Sequence, residues 1–306
     1  RVALMATRAS ELALADAGLL GDAFVKSGHM GVSYGSSAGT PSAIGDFGRM
    51  MADKSTEGIN ANTYIKMMSH TAAVNIGVFF GTTGRVITTS SACTSGSQGL
   101  GYAFEAIQSG KQLAMLAGGA EELDATQAAV FDTLFATSVK NDSPECTPRP
   151  FDARRDGLVL GEGACTFVLE ELEHALARGA CIRAELIGFA SNSDGTHVTQ
   201  PSAATMAQAM RMALEDAGIE PWEVGYVNAH GTATDQGDIA ESLATREVLG
   251  SQVPISSLKG YMGHTLGACG ALEAWMSIEM MREGWFAANA NLQQPDPRCA
   301  DLDYVM

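Results

Sequence analysis

One stretch of this sequence is written twice. Ala13-Leu-Ala-Asp-Ala-Gly-Leu19 returns 200 residues later as Ala213-Leu-Glu-Asp-Ala-Gly-Ile219, each reading as an amphipathic helix end closed by a glycine. A short apolar strand follows each time, over 30–35 and 224–229. Each strand then enters a small-residue turn, Ser36-Ser37-Ala38-Gly39-Thr40 or His230-Gly231-Thr232-Ala233-Thr234. Further along, residues 86–93 and 254–259 are both strands passing through Ser-Ser toward a Gly-rich turn and an apolar helix, now at an offset of 166. The fall from 200 to 166 places roughly 34 extra residues of the first copy between Pro41 and about Ala73, an excursion from a shared core. A chain built from two such copies is confined to a duplicated α/β architecture, with halves expected at 1–160 and 161–306.

The helices at the two junctions set the layering. Leu100, Ala103, Phe104 and Ile107 have helical spacing, and 266–281 is apolar on nearly every face, so both helices are expected to be buried. Helices covered on most sides need sheets above and below, with outer helices such as 204–217 beyond them, which gives five layers, αβαβα. At 46% apolar and 18% charged residues, the composition supports such a core and excludes disorder as the main state. The net charge of −16 gives no footprint for nucleic acid or anionic lipid. The longest uncharged run, 86–104, is studded with Ser, Thr and Gly, so no membrane span or signal peptide is expected and the location reads as cytoplasmic. The chain opens at Arg1 without a methionine and stops in a strand-like Tyr304-Val305-Met306, which reads as a fragment.

Six cysteines without a CxxC pair argue against a disulfide framework or zinc ribbon, and most are expected to be buried small hydrophobes. Cys93 differs. It joins a strand to a helix opening Thr-Ser-Gly-Ser, where the helix dipole favours a thiolate and backbone N–H groups face a developing oxyanion. His230 and His264 stand at strand ends of the second copy, so one sulfur and two imidazoles are expected to converge on one pocket. His29, His70 and His174 have no such context, and His197 is intermediate. Gly31-Val-Ser-Tyr-Gly35 fits the GxSxG string of a hydrolase elbow, but a loop follows where that motif needs a helix, and the reading is rejected. GxGxxG, Walker A and HExxH strings are absent, and no zinc-type spacing surrounds the histidines, so no metal is expected.

Four segments in this order resemble the β-ketoacyl-acyl-carrier-protein synthases of the elongating type, within the thiolase-like superfamily. They are Ser90-Ser-Ala-Cys-Thr-Ser-Gly96; Arg149-Pro-Phe-Asp-Ala-Arg-Arg-Asp-Gly157 with Gly161-Glu-Gly-Ala164; Asn228-Ala-His-Gly-Thr-Ala-Thr234 with Gly237-Asp238; and Lys259-Gly-Tyr-Met-Gly-His-Thr-Leu-Gly-Ala268. The resemblance covers nearly all of the chain and implies a thiolase-like αβαβα fold with a Cys-His-His site. Cys93 would take an acyl group from the phosphopantetheine thioester of an acyl carrier protein. His230 and His264 would hold the malonyl thioester and stabilise its enolate. Lys259 and its acidic partner Glu241 would orient the site, Thr232 and Thr234 would bind the pantetheine arm, and Phe131 would line the pocket.

The histidine pair separates this pattern from the Cys-His-Asn set of chain-initiating synthases. No cofactor is expected on the chain itself, since the pantetheine belongs to the carrier. The family's first strand and its last Gly-Phe-Gly-Gly loop and strand are absent from these 306 residues. The chain by itself is therefore expected to be inactive and poorly folded. An acidic carrier requires local positive charge, for which Arg49, Lys54 and Lys66 in the inserted segment are candidates. Residues 86–93 are expected at a dimer edge, in a homodimer or beside a related subunit. Two other readings are a non-catalytic chain-length-factor-like partner, which would lack the nucleophile, and a thiolase-fold enzyme acting on acyl-CoA. Fatty-acid and specialised polyketide pathways both remain open.

Overall fold

The structure is a computed structural model describing residues 1–196 and 200–306, so His197 lies outside the described residues. In chain order the first elements are α1 (Val2–Asp16), β1 (Met30–Gly35), α2 (Ser42–Asp53), α3 (Ala61–Met67), α4 (Thr71–Phe80), β2 (Val86–Thr89), α5 (Ser95–Gln108), β3 (Ala114–Glu121), α6 (Ala125–Thr133) and β4 (Gly163–Glu170). They are followed by α7 (Leu172–Ala177), α8 (Ala203–Ala217), β5 (Val227–Asn228), α9 (Asp235–Leu249), β6 (Pro254–Ser256), α10 (Lys259–Met262), α11 (Cys269–Glu283) and β7 (Asp303–Tyr304). The chain forms two compact units. The first comprises Arg1–Thr126, Gly161–Glu185 and Thr265–Trp275; the second comprises Gln127–Leu160, Leu186–His264 and Met276–Met306.

The first unit carries a four-stranded sheet in the order β2-β1-β3-β4, parallel except for β4. Strands β1 and β3 are buried along their whole length, as central strands covered on both faces must be. Val2, Ala6 and Leu14 of α1 and Ile76 and Phe80 of α4 pack with Val32, Tyr34 and Leu116. On the opposite face Ala103 and Ala106 of α5 meet Met115 and Ala117. Alternation along each strand sends its side chains to both helical layers, and within this unit the order is helix, sheet, helix.

The second unit holds a parallel sheet, β5-β6-β7. Its core gathers Phe151, Ala229, Ile255, Leu292 and Leu302, with Val227, Ile239 and Tyr304 packed against them. Helix α9 lies beside α8. The duplicated motif survives in both units. Gly18 and Gly218 adopt φ of 69° and 66°, and Leu19 and Ile219 donate their N–H groups back to Leu14 and Leu214. β1 then pairs with β2 as β5 pairs with β6, both parallel.

Three sequence expectations need amendment. The segment 266–281 is a short 3-10 turn followed by α11, and burial is continuous only at its beginning: Met280 is buried, but Trp275 and Met281 are 47% and 61% exposed. Apolar content overstated burial there, because folded proteins leave much apolar surface in water. The second copy's strand is shorter than the expected 224–229, two residues against six in the first. Of the six cysteines, all free, Cys165, Cys269 and Cys299 are buried, Cys93 and Cys146 are half-buried and Cys181 is exposed.

The inserted stretch forms α2 and α3, with Asn60 and Thr63 closing a capping box at the start of α3. Arg49, Lys54 and Lys66 on it are exposed. Arg49 pairs with Asp46, and Lys66 lines a cleft of about 340 Å³ with Asp46, Glu122 and Asp124. Ser33 of the rejected GxSxG string is wholly buried inside β1, and a loop over 36–41 follows the strand before α2 begins.

Candidate active site

Cys93 belongs to the first unit, where the chain leaves β2 and turns sharply into α5. Ala92 carries the turn with φ of 53°, a left-handed conformation uncommon for a residue with a side chain. Hydroxyls hold it there. Ser95 Oγ accepts from Ser91 N at 3.0 Å and donates to Ala92 O at 2.7 Å, Thr94 Oγ1 donates to Ser91 O at 2.8 Å, and Ser91 Oγ donates to Gln98 Oε1 at 2.6 Å. The run of serines and threonines around Cys93 is therefore a scaffold for the turn. A Cβ on Gly35 would lie 2.3 Å from Ser95 O, so only glycine lets β1 lie this close to the first residue of α5. Cys93 itself is half-buried, just before the helix start, and its carbonyl accepts from the Cys269 thiol at 3.4 Å.

His230, His264, Lys259 and Glu241 are brought together within the second unit. Past the end of β5, the backbone N–H groups of His230 and Gly231 donate to the two oxygens of Glu241, at 2.6 and 2.7 Å. Glu241 reaches them from the second turn of α9. Ser257 Oγ donates to Gly231 O at 2.7 Å. Lys259 opens α10 almost fully buried; its ammonium donates to His230 O at 2.6 Å and lies 3.3 Å from His230 Nδ1. His264 follows α10, its own N–H bound to Val159 O at 2.7 Å, and it is 1% exposed. The two imidazole rings meet edge to face, centroids 5.0 Å apart at 87°.

The electrostatics keep both rings neutral. Solvent reaches His230, yet its ring sits in crowded, poorly hydrated surroundings; this desolvation, then the Lys259 charge, then His264 hold its pKa well below the ordinary histidine value. For His264 the causes are burial and then Lys259. An ammonium offers only donors, so the Nδ1 of His230 facing Lys259 accepts and the remaining proton sits on Nε2. Lys259 thus fixes which N–H the ring can offer to a ligand.

The loop carrying Thr232 and Thr234 is tied down from beneath. The two hydroxyls lie 2.9 Å apart, with Ala233 between them at φ of 65°. Asp238 accepts from Ala233 N at 3.1 Å and from Phe151 N at 2.7 Å, while Arg155 Nε donates to Thr234 O at 3.2 Å and Nη1 binds Asp296 at 2.6 Å. Burial pushes the Asp238 carboxyl up to about 7. Asp152 in the same network accepts from Gln293 N, Gln294 N and Arg154 N at 2.8, 3.0 and 2.8 Å, and from Arg149. Burial raises its pKa, but these donors outweigh burial and bring it down to about 2.

Sequence reasoning gave the charged residues of 149–157 no roles, and it missed Glu121 altogether. Glu121, wholly buried at the end of β3, accepts from Ser37 N, Gly267 N and Ala38 N at 2.7, 3.1 and 3.3 Å and from the hydroxyls of Ser36 and Ser37. Burial nevertheless raises its pKa. The available signal was an acid closing an otherwise apolar strand. Phe131 sits half-buried on α6.

Residues 1–175 match the family model described as beta-ketoacyl synthase, N-terminal domain, and 183–293 match the C-terminal domain of the same family. Among curated relatives, the putative polyketide beta-ketoacyl synthase 1 of Streptomyces cyaneus is 43% identical over 241 residues, covering 77% of this chain but 57% of the relative. The 3-oxoacyl-[acyl-carrier-protein] synthase 1 of Escherichia coli K12 is 39% identical over 299 residues, 96% of this chain and 73% of its own. Among solved structures, a beta-ketoacyl synthase from Burkholderia phymatum superposes with a TM-score of 0.98 at 60% identity, covering 100% of this chain and 75% of the other. The ketosynthase of a type II polyketide system, solved with its acyl-carrier protein and bound to a hexaketide, gives 0.89 at 33% identity over 99% and 77%. The chain belongs to the beta-ketoacyl synthase family, and its α/β fold is thiolase-like.

Proposed function

We propose that this beta-ketoacyl synthase catalyses decarboxylative Claisen condensation, acting as an acyltransferase that lengthens a carrier-bound acyl chain. The observation that carries the reading is the neutral histidine pair, edge to face at 5.0 Å beside a buried Lys259. In the first half-reaction the Cys93 sulfur attacks an acyl thioester; a new C–S bond forms, the old one breaks, and the carrier thiol leaves with the proton. In the second, a malonyl thioester loses carbon dioxide. The electron pair of the broken C–C bond moves into an enolate, whose oxygen the N–H groups of His230 and His264 stabilise. Neutral donors suit this step because they hold the oxyanion without protonating the carbon that must attack. That carbon then bonds to the acyl carbon, Cys93 leaves as thiolate, and a 3-oxoacyl thioester is released.

Thr232 and Thr234, held rigid by Asp238 and Arg155, would bind the pantetheine arm of the acyl carrier protein. Phe131 would line the acyl pocket. The E. coli relative is named for a carrier-bound product, and the hexaketide-bound ketosynthase was solved with a carrier protein, which supports that partner class for this chain. Assembly as a homodimer or with a related subunit belongs to the same reading.

Intact-mass measurement after incubation with acyl-carrier protein tests it: an acyl adduct confined to Cys93, followed by carbon dioxide release and 3-oxoacyl product with malonyl-carrier protein. Absence of any adduct, or efficient loading by acyl-CoA with none from the carrier, would overturn the reading.

A further inference from the structure

Two of the six free cysteines touch. Cys269, the first residue of α11 and 2% exposed, directs its sulfur at the carbonyl oxygen of Cys93, 3.4 Å away. The contact is enforced by glycines where the starts of α5 and α11 meet. A Cβ on Gly96 would fall 2.8 Å from Gly267 O, and one on Gly270 would fall 2.8 Å from Ser97 Cβ. A carbonyl oxygen lies roughly 2.4 Å from its own Cα, given standard bond lengths, so the Cys269 sulfur is within about 6 Å of the Cys93 Cα. Bridged cysteines have Cα atoms about 4.4–6.8 Å apart, so a sulfur already this near the opposite residue needs side-chain rotation and a small closing movement of the two helix starts to reach bonding range.

We propose that Cys269 is the resolving thiol of Cys93: on exposure to a hydroperoxide the two residues close an intramolecular disulfide that takes the nucleophile out of use reversibly. The Cys93 thiolate attacks the peroxide; an S–O bond forms, the O–O bond breaks, and the departing alkoxide or hydroxide takes a proton from water. The sulfur is oxidised by two electrons to a sulfenic acid and the peroxide is reduced by two. The Cys269 sulfur then attacks that sulfenyl sulfur. An S–S bond forms, the S–O bond breaks, and hydroxide takes up the Cys269 proton and leaves as water. A small dithiol reverses the process by exchange. The bridge spares Cys93 the irreversible sulfinic and sulfonic stages, and a transient bridge of this kind is compatible with a reducing compartment.

The inference rests on Cys93 being the reactive thiol of the proposed synthase, and the test separates the two. The protein is titrated with hydrogen peroxide, and intact mass and peptide maps are read without reductant. The expected result is the loss of two hydrogens in mass, a Cys93–Cys269 linked peptide, and recovery of acyl loading after dithiothreitol. Cys269→Ser and Cys269→Ala, checked by thermal melting, should load acyl groups normally but gain one to three oxygens on Cys93, with no recovery past the first. Wild-type Cys269 still open to alkylation after Cys93 has oxidised overturns the inference, as does equal overoxidation of the wild type and both variants. If Cys93 in the Cys269→Ser protein takes neither oxygen nor acyl group, the nucleophile reading itself fails.

Discussion

Replacing Glu241 with glutamine tests the turn that presents His230. Each carboxylate oxygen accepts one backbone N–H, from His230 at 2.6 Å and from Gly231 at 2.7 Å. Glutamine has a single acceptor oxygen, so whichever way the amide turns, one N–H faces another donor. The lost charge-assisted bond and the orphaned N–H together cost about 3 kcal/mol. For a chain of this length that corresponds to a fall of about 6 °C in Tm. The turn relaxes by moving the backbone at His230, and a displacement of even ~1 Å at a reacting group can slow chemistry about a hundredfold. Glu241→Gln should therefore lose malonyl decarboxylation while acyl loading of Cys93, which needs no enolate, is largely kept. Scanning calorimetry and carbon dioxide release read the two effects. An unchanged Tm and an unchanged decarboxylation rate would refute the reasoning; a lower Tm with full decarboxylation would show that the clamp holds the backbone without setting the ring.

Further expectations concern charge and packing. Because both histidine pKa values are depressed, wild-type decarboxylation should be flat from about pH 6 to 8 and fall only below the ordinary histidine range; Lys259→Met removes the neighbouring positive charge and should move that acid limb upward in a pH–rate profile. Asp152, held at about 2 against an ordinary 3.8, contributes about 2 kcal/mol that is fully present above pH 4 and is lost as pH falls through its folded value. Urea unfolding of Asp152→Asn should accordingly show a deficit of that size at pH 6 that closes toward pH 2, and a deficit independent of pH would contradict the assignment. Gly35→Ala sets a methyl group 2.3 Å from the Ser95 carbonyl, between two backbones that cannot yield cheaply, and should cost about 3 kcal/mol. The same variant should change the alkylation rate of Cys93 two residues upstream, and a wild-type unfolding midpoint would show that the strand and the helix start are not locked.

What the sequence discloses here is what local chemistry decides. A helix that stops at glycine does so because Gly18 and Gly218 take a left-handed φ that other residues resist, and that cost is written into one position. Strand-to-helix turns are equally local, so Cys93, His230 and His264 could be placed at their junctions by reading outward a few residues. The roles of Glu121, Asp238 and Cys269 were not legible, because their partners stand 146, 87 and 176 residues away. No periodicity says which N–H a carboxylate will meet across such a span. The exposed Trp275 and Met281 on α11 show the opposite failure, in which apolar residues at helical spacing stand largely in water.

The four acids singled out in this structure share one job, and it bears on the chain's net charge of −16. Turns that carry functional residues follow neither helix nor strand, so their N–H groups have no built-in partner and must be satisfied some other way. Glu121 serves Ser37, Ala38 and Gly267; Asp152 serves Arg154, Gln293 and Gln294; Asp238 serves Phe151 and Ala233; Glu241 serves His230 and Gly231. A carboxylate can accept several such bonds at once, whereas a neutral side chain of similar size keeps only one acceptor oxygen. Part of the count of acidic residues is thus structural, and burial holds two of them, Asp238 and Glu121, above the ordinary carboxylate range. Neutralising any of these four should destabilise the turn it holds, while neutralising an exposed acid such as Glu57 should leave stability within about 0.5 kcal/mol of wild type.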